Sequence, residues 1–181
     1  MINKLDSLSA LTNLLDKTPV KDYTGILKDF KFEIGALEPF MTWELGKYTR
    51  NCLAHSDKYE LILLCWDVNA ETPVHDHGGE DCWVYQLNGT LTEVRYTQNK
   101  DDSSVVPVDE LELTPGKLTF MNDRMGYHAI ENRSNQRALS LHLYASPIQI
   151  CNIFDEDEQI FKAKELSYDT YKGKSSIIEF T

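Results

Sequence analysis

The sequence predicts a mainly β domain that carries helices at its N-terminal end. Short runs rich in β-branched and aromatic residues begin near Trp43 and alternate with turn residues, and about eight such runs fit a sandwich or a barrel. The predicted strands cover residues 47–51, 59–67, 82–87, 91–97, 111–113, 117–121, 128–132 and 139–145. With 41% hydrophobic and 26% charged side chains, a chain of 181 residues has enough apolar material for the core of one domain.

The N-terminal segment, residues 1–40, is predicted to be helical. Its apolar residues recur at three- and four-residue steps, which is the spacing of one helix face, and Pro19 ends the first helix. This apolar face consists of Ile2, Leu5, Leu8, Leu11, Leu14 and Leu15. A second short helix is predicted around residues 21–30. We expect two or three helices to pack outside the strands.

Turn signals divide the β region that follows. Asn88-Gly89 lies between two alternating runs and predicts a hairpin, whereas residues 98–104 are rich in polar side chains and predict a solvated loop. The acidic run at residues 155–158 is interpreted as a solvated turn rather than a metal site. We expect one domain over residues 1–181, with a barrel core at about 43–154 and a C-terminal segment at 155–181.

The charge balance and the cysteine count exclude several classes of protein. Acidic residues outnumber basic ones 29 to 18, which gives a net charge of −11 and repels nucleic acid and anionic membranes. The longest apolar run, residues 61–66, is far shorter than the roughly 20 residues that span a bilayer, and the N-terminus lacks an apolar signal core. Four scattered cysteines do not suggest a disulfide framework. We expect a cytoplasmic monomer without a nucleic-acid or membrane partner.

His75 and His77 form the first candidate site. Side chains alternate across a strand, so two histidines two residues apart can face one interior while Asp76 faces away. Taken alone, the pair also fits two histidines in a loop. His128 and Asn132 supply a second cluster, in the pattern Gly-x-His-x-x-x-Asn.

Two further patterns place polar side chains at alternating positions. Tyr48 and Arg50 flank Thr49. The polar side chains of Ser140, His142 and Tyr144 alternate with leucines, which inverts the usual polar-out arrangement. In a closed barrel one set would face the interior and the other would lie under a covering layer such as the N-terminal helices. An edge strand with its polar side in water is the alternative.

Together these patterns resemble the two sequence motifs of the cupin barrels, whose histidines bind a metal inside the barrel. The first motif is His-x-His followed by an acidic residue and a glycine, and the second is Gly-x-x-His-x-x-x-Asn. Where cupins have the acidic ligand this chain has Cys82, with Asp81 one position earlier. The resemblance implies a cupin-type, jelly-roll-like β-barrel and leaves open a three-histidine site or a site with one carboxylate.

The chain also resembles the cysteine dioxygenase family of cupin enzymes over roughly residues 43–154. The matching positions are Tyr48-Thr49-Arg50-Asn51, Leu63-Leu64-Cys65-Trp66, His75-Asp76-His77, Cys82, His128, Asn132, Ser140-Leu141-His142-Leu143-Tyr144 and Cys151. The resemblance implies an enzyme that oxidises L-cysteine with O2 to cysteine sulfinic acid. It also implies iron(II) as the cofactor, held by His75, His77 and His128.

The same resemblance implies roles for the remaining candidates. Arg50 and Tyr48 would hold the carboxylate side of the substrate, because a guanidinium offers a planar pair of donors. Tyr144 would lie beside the metal and be oriented by Ser140 and His142, and a thioether would join it to Cys82. Leu64, Trp66 and Cys151 are expected to contribute to the substrate pocket.

Three other functions remain open on the sequence alone. One is a dioxygenase for another small thiol such as 3-mercaptopropionate, although Arg50 and Cys82 favour cysteine. The second is a non-catalytic cupin that binds a metal or small ligand. The third is a zinc site formed by the three histidines and Cys82, since one thiolate and three imidazoles suit tetrahedral zinc.

Overall fold

A computed structural model of the protein describes residues 8–31, 33–99, 104–172 and 174–175. The predicted helical positions Ile2 and Leu5, most of the predicted loop at 98–104 and the end of the C-terminal segment lie outside these residues. The helical elements are α1 (Leu8–Lys17), α2 (Tyr23–Asp29) and the 3-10 helices Val20–Asp22, Ile34–Phe40 and Asp123–Met125. The strands are β1 (Tyr48–His55), β2 (Glu60–Trp66), β3 (Cys82–Asn88), β4 (Leu91–Gln98), β5 (Val105–Leu113), β6 (Leu118–Met121), β7 (Tyr127–Glu131), β8 (Ala138–Tyr144), β9 (Ile150–Asp155), β10 (Ile160–Glu165), β11 (Thr170–Tyr171) and β12 (Lys174–Ser175).

The N-terminal helices follow the predicted apolar spacing. Leu11 and Leu15 of α1 are fully buried, as their four-residue separation on one helix face requires. Pro19 follows the end of α1, as predicted, and a 3-10 turn then leads into α2, which begins at Tyr23 and not at residue 21. The third helical element, Ile34–Phe40, is a 3-10 helix.

Among the described residues, seven strands form the first sheet, in the order β12-β11-β1-β2-β8-β3-β6. As predicted, the leucines of β8 lie on one face of this sheet and its polar residues on the other. Leu139, Leu141 and Leu143 of β8 pack with α1 and α2 in one buried cluster, together with Leu61 and Leu63 of β2. The helices therefore cover the outer face of this sheet, and the polar residues of β8 face the opposite way.

The second sheet faces the polar side of the first. Within the described residues it comprises a three-stranded part, β5-β4-β7, and a hairpin, β9-β10, which single bridges join through His75. His75 pairs with His128 of β7 on one side and with Ile153 of β9 on the other. The two facing sheets form the jelly-roll arrangement of a cupin barrel, which confirms the predicted fold. The space between them is called the lumen below.

Four strands were absent from the sequence prediction, and β5 is longer than predicted. β5 begins at Val105 and not at 111, because its full length pairs with β4 although most of its side chains are exposed. β9 is partly buried and β10 is mostly exposed, and the residues of β9, Ile-Cys-Asn-Ile-Phe-Asp, show no alternation of apolar and polar side chains. The acidic run at 155–158 forms the turn between them and is mostly exposed, as predicted. β11 and β12 have two residues each, and β11 adds to β1 in parallel.

Candidate active site

Three histidines meet inside the lumen. His75 and His77 lie on the segment that connects the two parts of the second sheet, and His128 lies on β7. The backbones of His75 and His128 exchange two hydrogen bonds, of 3.0 and 3.1 Å, which fixes the two side chains next to each other. One ligand atom from each histidine lies within 4.8 Å of the other two. The ring centroids of His77 and His128 are 4.6 Å apart.

Two glycines let the strands come close enough to build this cluster. Gly126 precedes β7 with φ at +101°, and a Cβ there would lie 2.4 Å from the carbonyl oxygen of Tyr96. Gly78 follows the histidine pair with φ at +59°, and a Cβ there would lie 2.3 Å from the carbonyl oxygen of Ile150. Both positions therefore require glycine, for backbone conformation and for space.

Two of the three imidazoles are backed by a hydrogen-bond acceptor at Nδ1. His75 Nδ1 donates to the carbonyl oxygen of Pro73 at 2.9 Å, and His128 Nδ1 donates to Oε1 of Glu93 at 3.1 Å. His77 Nδ1 lies 4.0 Å from Oδ1 of Asp123, whose carboxylate also accepts the backbone N–H of His77 at 2.7 Å. Such contacts fix the tautomer and leave Nε2 of His75 and of His128 for a ligand.

The electrostatics of the cluster suit a metal. Burial lowers the pKa of His77 and of His128 well below the usual value, with a further contribution from the neighbouring imidazoles, and burial also lowers the pKa of His75. The imidazoles are therefore neutral at neutral pH, which is the form that binds a metal. Both ring nitrogens of His77 are buried without a hydrogen-bond partner among the described residues, as expected for a side chain that awaits a ligand.

Of the ligand sets that the sequence left open, the one whose members the described residues bring together is the three-histidine set. Across the described residues, the group of potential ligands contains the three histidines and neither Cys82 nor Asp81. The carboxylate of Asp81 accepts a hydrogen bond from Asn122 Nδ2 at 2.9 Å. Asp76 faces away from the histidines, as predicted, and binds Asn152 of β9 through its carboxylate.

A cavity opens beside His75, and its wall contains several of the predicted substrate residues. Its lining includes Tyr48, Arg50, His75, Tyr144 and Cys151. Burial raises the pKa of the Cys151 thiol and that of the Tyr48 hydroxyl, so both groups are neutral there. Four candidates from the sequence therefore line a single cavity: the cation Arg50, the phenols Tyr48 and Tyr144, and the candidate metal ligand His75.

Arg50 is held on several sides. Its Nε donates to the carbonyl oxygen of Ser167 at 3.2 Å, and its backbone N–H donates to Asp169 Oδ2 at 2.7 Å. Its Nη2 lies 3.5 Å from Oε1 of Glu60, a side chain with no exposed surface. Nη2 has no hydrogen-bond partner among the described residues. The guanidinium is therefore fixed through Nε and is also in hydrogen-bond contact with Tyr144, while its Nη2 atom is available to a ligand.

Tyr144 lies at the end of β8, directly opposite Cys82 of β3 and Glu60 of β2. Burial raises the pKa of Tyr144 well above the usual value, and the adjacent Cys82 adds to this effect. Burial likewise raises the pKa of the Cys82 thiol. The ring of Tyr144 lies 6.3 Å from that of His77 between centroids. Cys82 and Tyr144 are thus cross-strand neighbours beside the histidine cluster.

Ser140 and His142 form a hydrogen-bonded chain with Trp66. Trp66 Nε1 donates to Ser140 Oγ at 2.8 Å, and Ser140 Oγ lies 2.9 Å from His142 Nε2. Because an indole N–H can only donate, the serine hydroxyl proton is free to bond the imidazole. Burial lowers the pKa of His142, so this imidazole is neutral.

Leu64 and Trp66 are placed differently from the prediction. Both are buried in the lumen, but neither belongs to the cavity lining. Trp66 packs against Tyr48 with ring centroids 5.0 Å apart, so it supports a lining residue from behind. Leu64 belongs to the same buried cluster. Both residues support the wall of the cavity, and a contribution of either one to substrate binding stays a prediction.

Three acidic residues of the site were missed by the sequence analysis. Glu60 and Glu93 have no exposed surface, and Asp123 holds the backbone of the histidine segment. The sequence contained a signal for Glu60, because it lies an even number of positions from Ile62 and Leu64 and therefore faces the lumen with them. Glu93 has a similar signal as a charged residue near the start of the alternating run of β4. Their partners lie on other strands and could not be read from the sequence.

The fold and the site define a cupin whose three-histidine cluster is compatible with metal binding. Comparisons with known proteins agree. The family model described as cysteine dioxygenase type I matches residues 8–157. The chain therefore belongs to the cysteine dioxygenase type I family of enzymes.

Individual relatives agree with this family. The chain is 28% identical over 144 residues to human "Cysteine dioxygenase type 1", covering 78% of this chain and 72% of the human protein. It is 29% identical over 145 residues to the Danio rerio protein of the same name, with the same coverage. Among solved structures, the TT1209 protein of Thermus thermophilus matches with a TM-score of 0.50 and 24% identity, over 61% of this chain and 93% of that one. The last match concerns the fold alone.

None of the helices in the described part of the chain is long and apolar enough to cross a membrane.

Proposed function

We propose that this protein is an iron(II)-dependent dioxygenase that oxidises L-cysteine with O2 to cysteine sulfinic acid. The observation that carries the proposal is a cluster of three neutral histidines, one of which, His75, lines the same cavity as Arg50 and Tyr144. The family and the names of the relatives support cysteine as the substrate. The reaction balances without an external reductant, because both oxygen atoms of O2 end on the sulfur of the thiol.

His75, His77 and His128 are the proposed iron ligands. Three neutral imidazoles leave the charge of a divalent ion uncompensated, so an anionic thiolate is a favoured additional ligand. When bound, iron(II) supplies the site at which the thiol sulfur and O2 react. The carboxylate of Glu93, 3.1 Å behind His128, provides part of the balancing negative charge.

Arg50 is the proposed partner of the substrate carboxylate. Its Nε is engaged by Ser167, so the two Nη groups at the other end of the guanidinium are the donors for a bidentate pair. The cavity excludes most of the solvent, since the Arg50 side chain is only 13% exposed. A charged hydrogen bond is stronger in such an environment than at the surface.

Tyr144 is the proposed catalytic hydroxyl. Its pKa, raised by burial, keeps the phenol protonated and able to donate a hydrogen bond to bound substrate. The chain of Trp66, Ser140 and His142 ends one inward position before Tyr144 on the same strand, and we propose that it holds this strand in register. The cross-strand contact of Cys82 with Tyr144 supports the proposed thioether between them.

Metal analysis followed by oxygen uptake tests this function. The protein purified without added metal should contain iron, and O2 consumption with L-cysteine should yield the sulfinic acid. His128→Ala should lose both metal and turnover, whereas His55→Ala, at an exposed position of β1, should keep both. Full iron occupancy and turnover in His128→Ala would contradict the ligand assignment. Zinc in place of iron, or faster turnover with 3-mercaptopropionate, would contradict the proposed metal or substrate.

A further inference from the structure

We propose that Glu60 sets the affinity for the substrate carboxylate, by competing for the Arg50 guanidinium and taking up a proton when a carboxylate-bearing substrate binds. The inference rests on the proposed function, because it concerns the substrate that Arg50 recognises. Glu60 thereby acts through Arg50, as a positioning and specificity-determining residue.

The geometry places Glu60 and the substrate carboxylate in competition. Nη2 of Arg50 faces Oε1 of Glu60 at 3.5 Å, and neither atom has a hydrogen-bond partner among the described residues. Nη2 also belongs to the end of the guanidinium that Ser167 leaves free. A substrate carboxylate that binds the two Nη groups therefore shares Nη2 with Glu60.

The position of Glu60 does not depend on Arg50. Its Oε2 accepts the backbone N–H of Ile148 at 3.0 Å, and the hydroxyl of Tyr168 is in hydrogen-bond contact with the carboxylate. Arg50, in turn, remains tied to Ser167 and Asp169. Removing the charge of Glu60 therefore leaves the guanidinium in place, which separates competition from a purely structural role.

The surroundings of Glu60 determine its proton affinity. The titratable and charged groups that act on it are Arg50 and Cys52 of β1, Cys82 of β3, Tyr144 of β8 and Tyr168 of the segment that follows β10. Arg50 is the one cation among them. Burial raises the pKa of Glu60 above the usual value, against the opposing effect of Arg50. When the substrate carboxylate shares the guanidinium, two negative groups compete for one positive charge, and protonation of Glu60 relieves the repulsion.

This arrangement gives a pH dependence with a defined sign. Where Glu60 is ionised in the free protein, binding of a carboxylate takes up a proton, so affinity falls as pH rises. Cysteamine has the thiol and amine of cysteine but no carboxylate, and its binding should not change with Glu60. The ratio of the two affinities therefore isolates the contribution of Glu60.

Anaerobic calorimetry of the iron-loaded protein tests the inference without turnover. Titration with L-cysteine and with cysteamine, in two buffers of different ionisation enthalpy, gives the number of protons taken up with each thiol. The wild type should take up more protons with cysteine than with cysteamine. In Glu60→Gln this difference should disappear, and the Kd for cysteine above the pKa of Glu60 should fall by about tenfold, because a like charge is removed from the site.

Two further variants complete the design. Glu60→Asp retains the charge and should keep the proton difference. Asp67→Asn removes a buried carboxylate that binds Arg137 at the opposite end of β2, and it should also behave as the wild type. If Glu60→Gln does not fold, the wild-type proton count and Glu60→Asp decide the question.

The outcomes separate the inference from the proposed function. An equal proton count for both thiols in the wild type overturns the role of Glu60, and so does a proton difference that persists in Glu60→Gln. Equal changes in the Kd of cysteine and cysteamine would show a structural role only. A protein that binds cysteine with proton uptake but consumes no O2 would refute the dioxygenase function and leave the role of Glu60 intact.

Discussion

Glu93 offers a direct test of how the lumen supports its proposed metal ligands. Its side chain has no exposed surface, and its Oε1 accepts hydrogen bonds from His128 Nδ1 at 3.1 Å and from Arg95 Nε at 3.2 Å. Glu93→Gln preserves the shape of the side chain and removes the negative charge. The imidazole of His128 then loses a charged acceptor and becomes a weaker donor to a metal.

The expected magnitude follows from these contacts. A hydrogen bond to a charged group contributes about 1.5–3 kcal/mol. Since a tenfold change in affinity corresponds to about 1.4 kcal/mol, losing the charge at one ligand predicts iron binding that is about 10 to 100 times weaker. We expect little change in the other two histidines, because their Nδ1 atoms face Pro73 and Asp123.

Competition between the apo-protein and an iron(II) chelator under anaerobic conditions measures this change. Glu112→Gln is the matched control, because it removes the same charge from an exposed position of the adjacent strand β5. The control should bind iron as the wild type does. An affinity of Glu93→Gln equal to that of the control would refute the argument that Glu93 supports the metal through His128.

Three further predictions concern the cavity and the cluster. Arg50→Ala should cost about 2–5 kcal/mol in kcat/KM for L-cysteine and little for cysteamine, because a buried charged pair is lost for one thiol only; equal losses would indicate damage to the fold. A thioether between Cys82 and Tyr144 removes two hydrogen atoms, so intact-mass measurement after turnover should find part of the wild-type protein lighter by that amount. This species should be absent from Cys82→Ser and Tyr144→Phe. Metal loss in Cys82→Ser, with no lighter wild-type species, would favour the zinc alternative. Burial lowers the pKa of all three histidines of the cluster, so on acidification the unfolded chain takes up protons first. Denaturant titrations of the apo-protein should therefore show stability falling as pH drops below about 6.5, and unchanged stability through that range would contradict this reasoning.

The sequence predicted the elements whose side chains alternate between two chemically distinct surroundings. β8 is the clearest case, since its leucines face the helices and its polar residues face the lumen. The hairpin of β9 and β10 has no regular alternation of buried and exposed residues, so this pattern did not mark it in the sequence. Pairing with other strands, rather than local propensity, decides whether such segments form strands.

The candidate site divides in a similar way. The pair of His75 and His77 could be recognised because the spacing of two residues already places both side chains on one face. Glu60 and Glu93 could not be assigned, because their functions depend on partners that only the strand register brings near. The contact of Trp66 with the ring of Tyr48, a residue that lines the cavity, could not be derived from the sequence, because it depends on the pairing of β1 with β2.

The contact of Arg50 with Ser167 and Asp169 also constrains the order in which the protein can fold. Ser167 and Asp169 follow Arg50 by 117 and 119 positions in the chain. Strand β11 comes directly after them and pairs with β1 in the first sheet. Contacts of such long separation carry a large loop-closure entropy and form after local hairpins. During synthesis, β1 leaves the ribosome long before its partners at residues 167–171 exist. The side of the cavity that Arg50 lines is therefore completed only when nearly the whole described chain has been made.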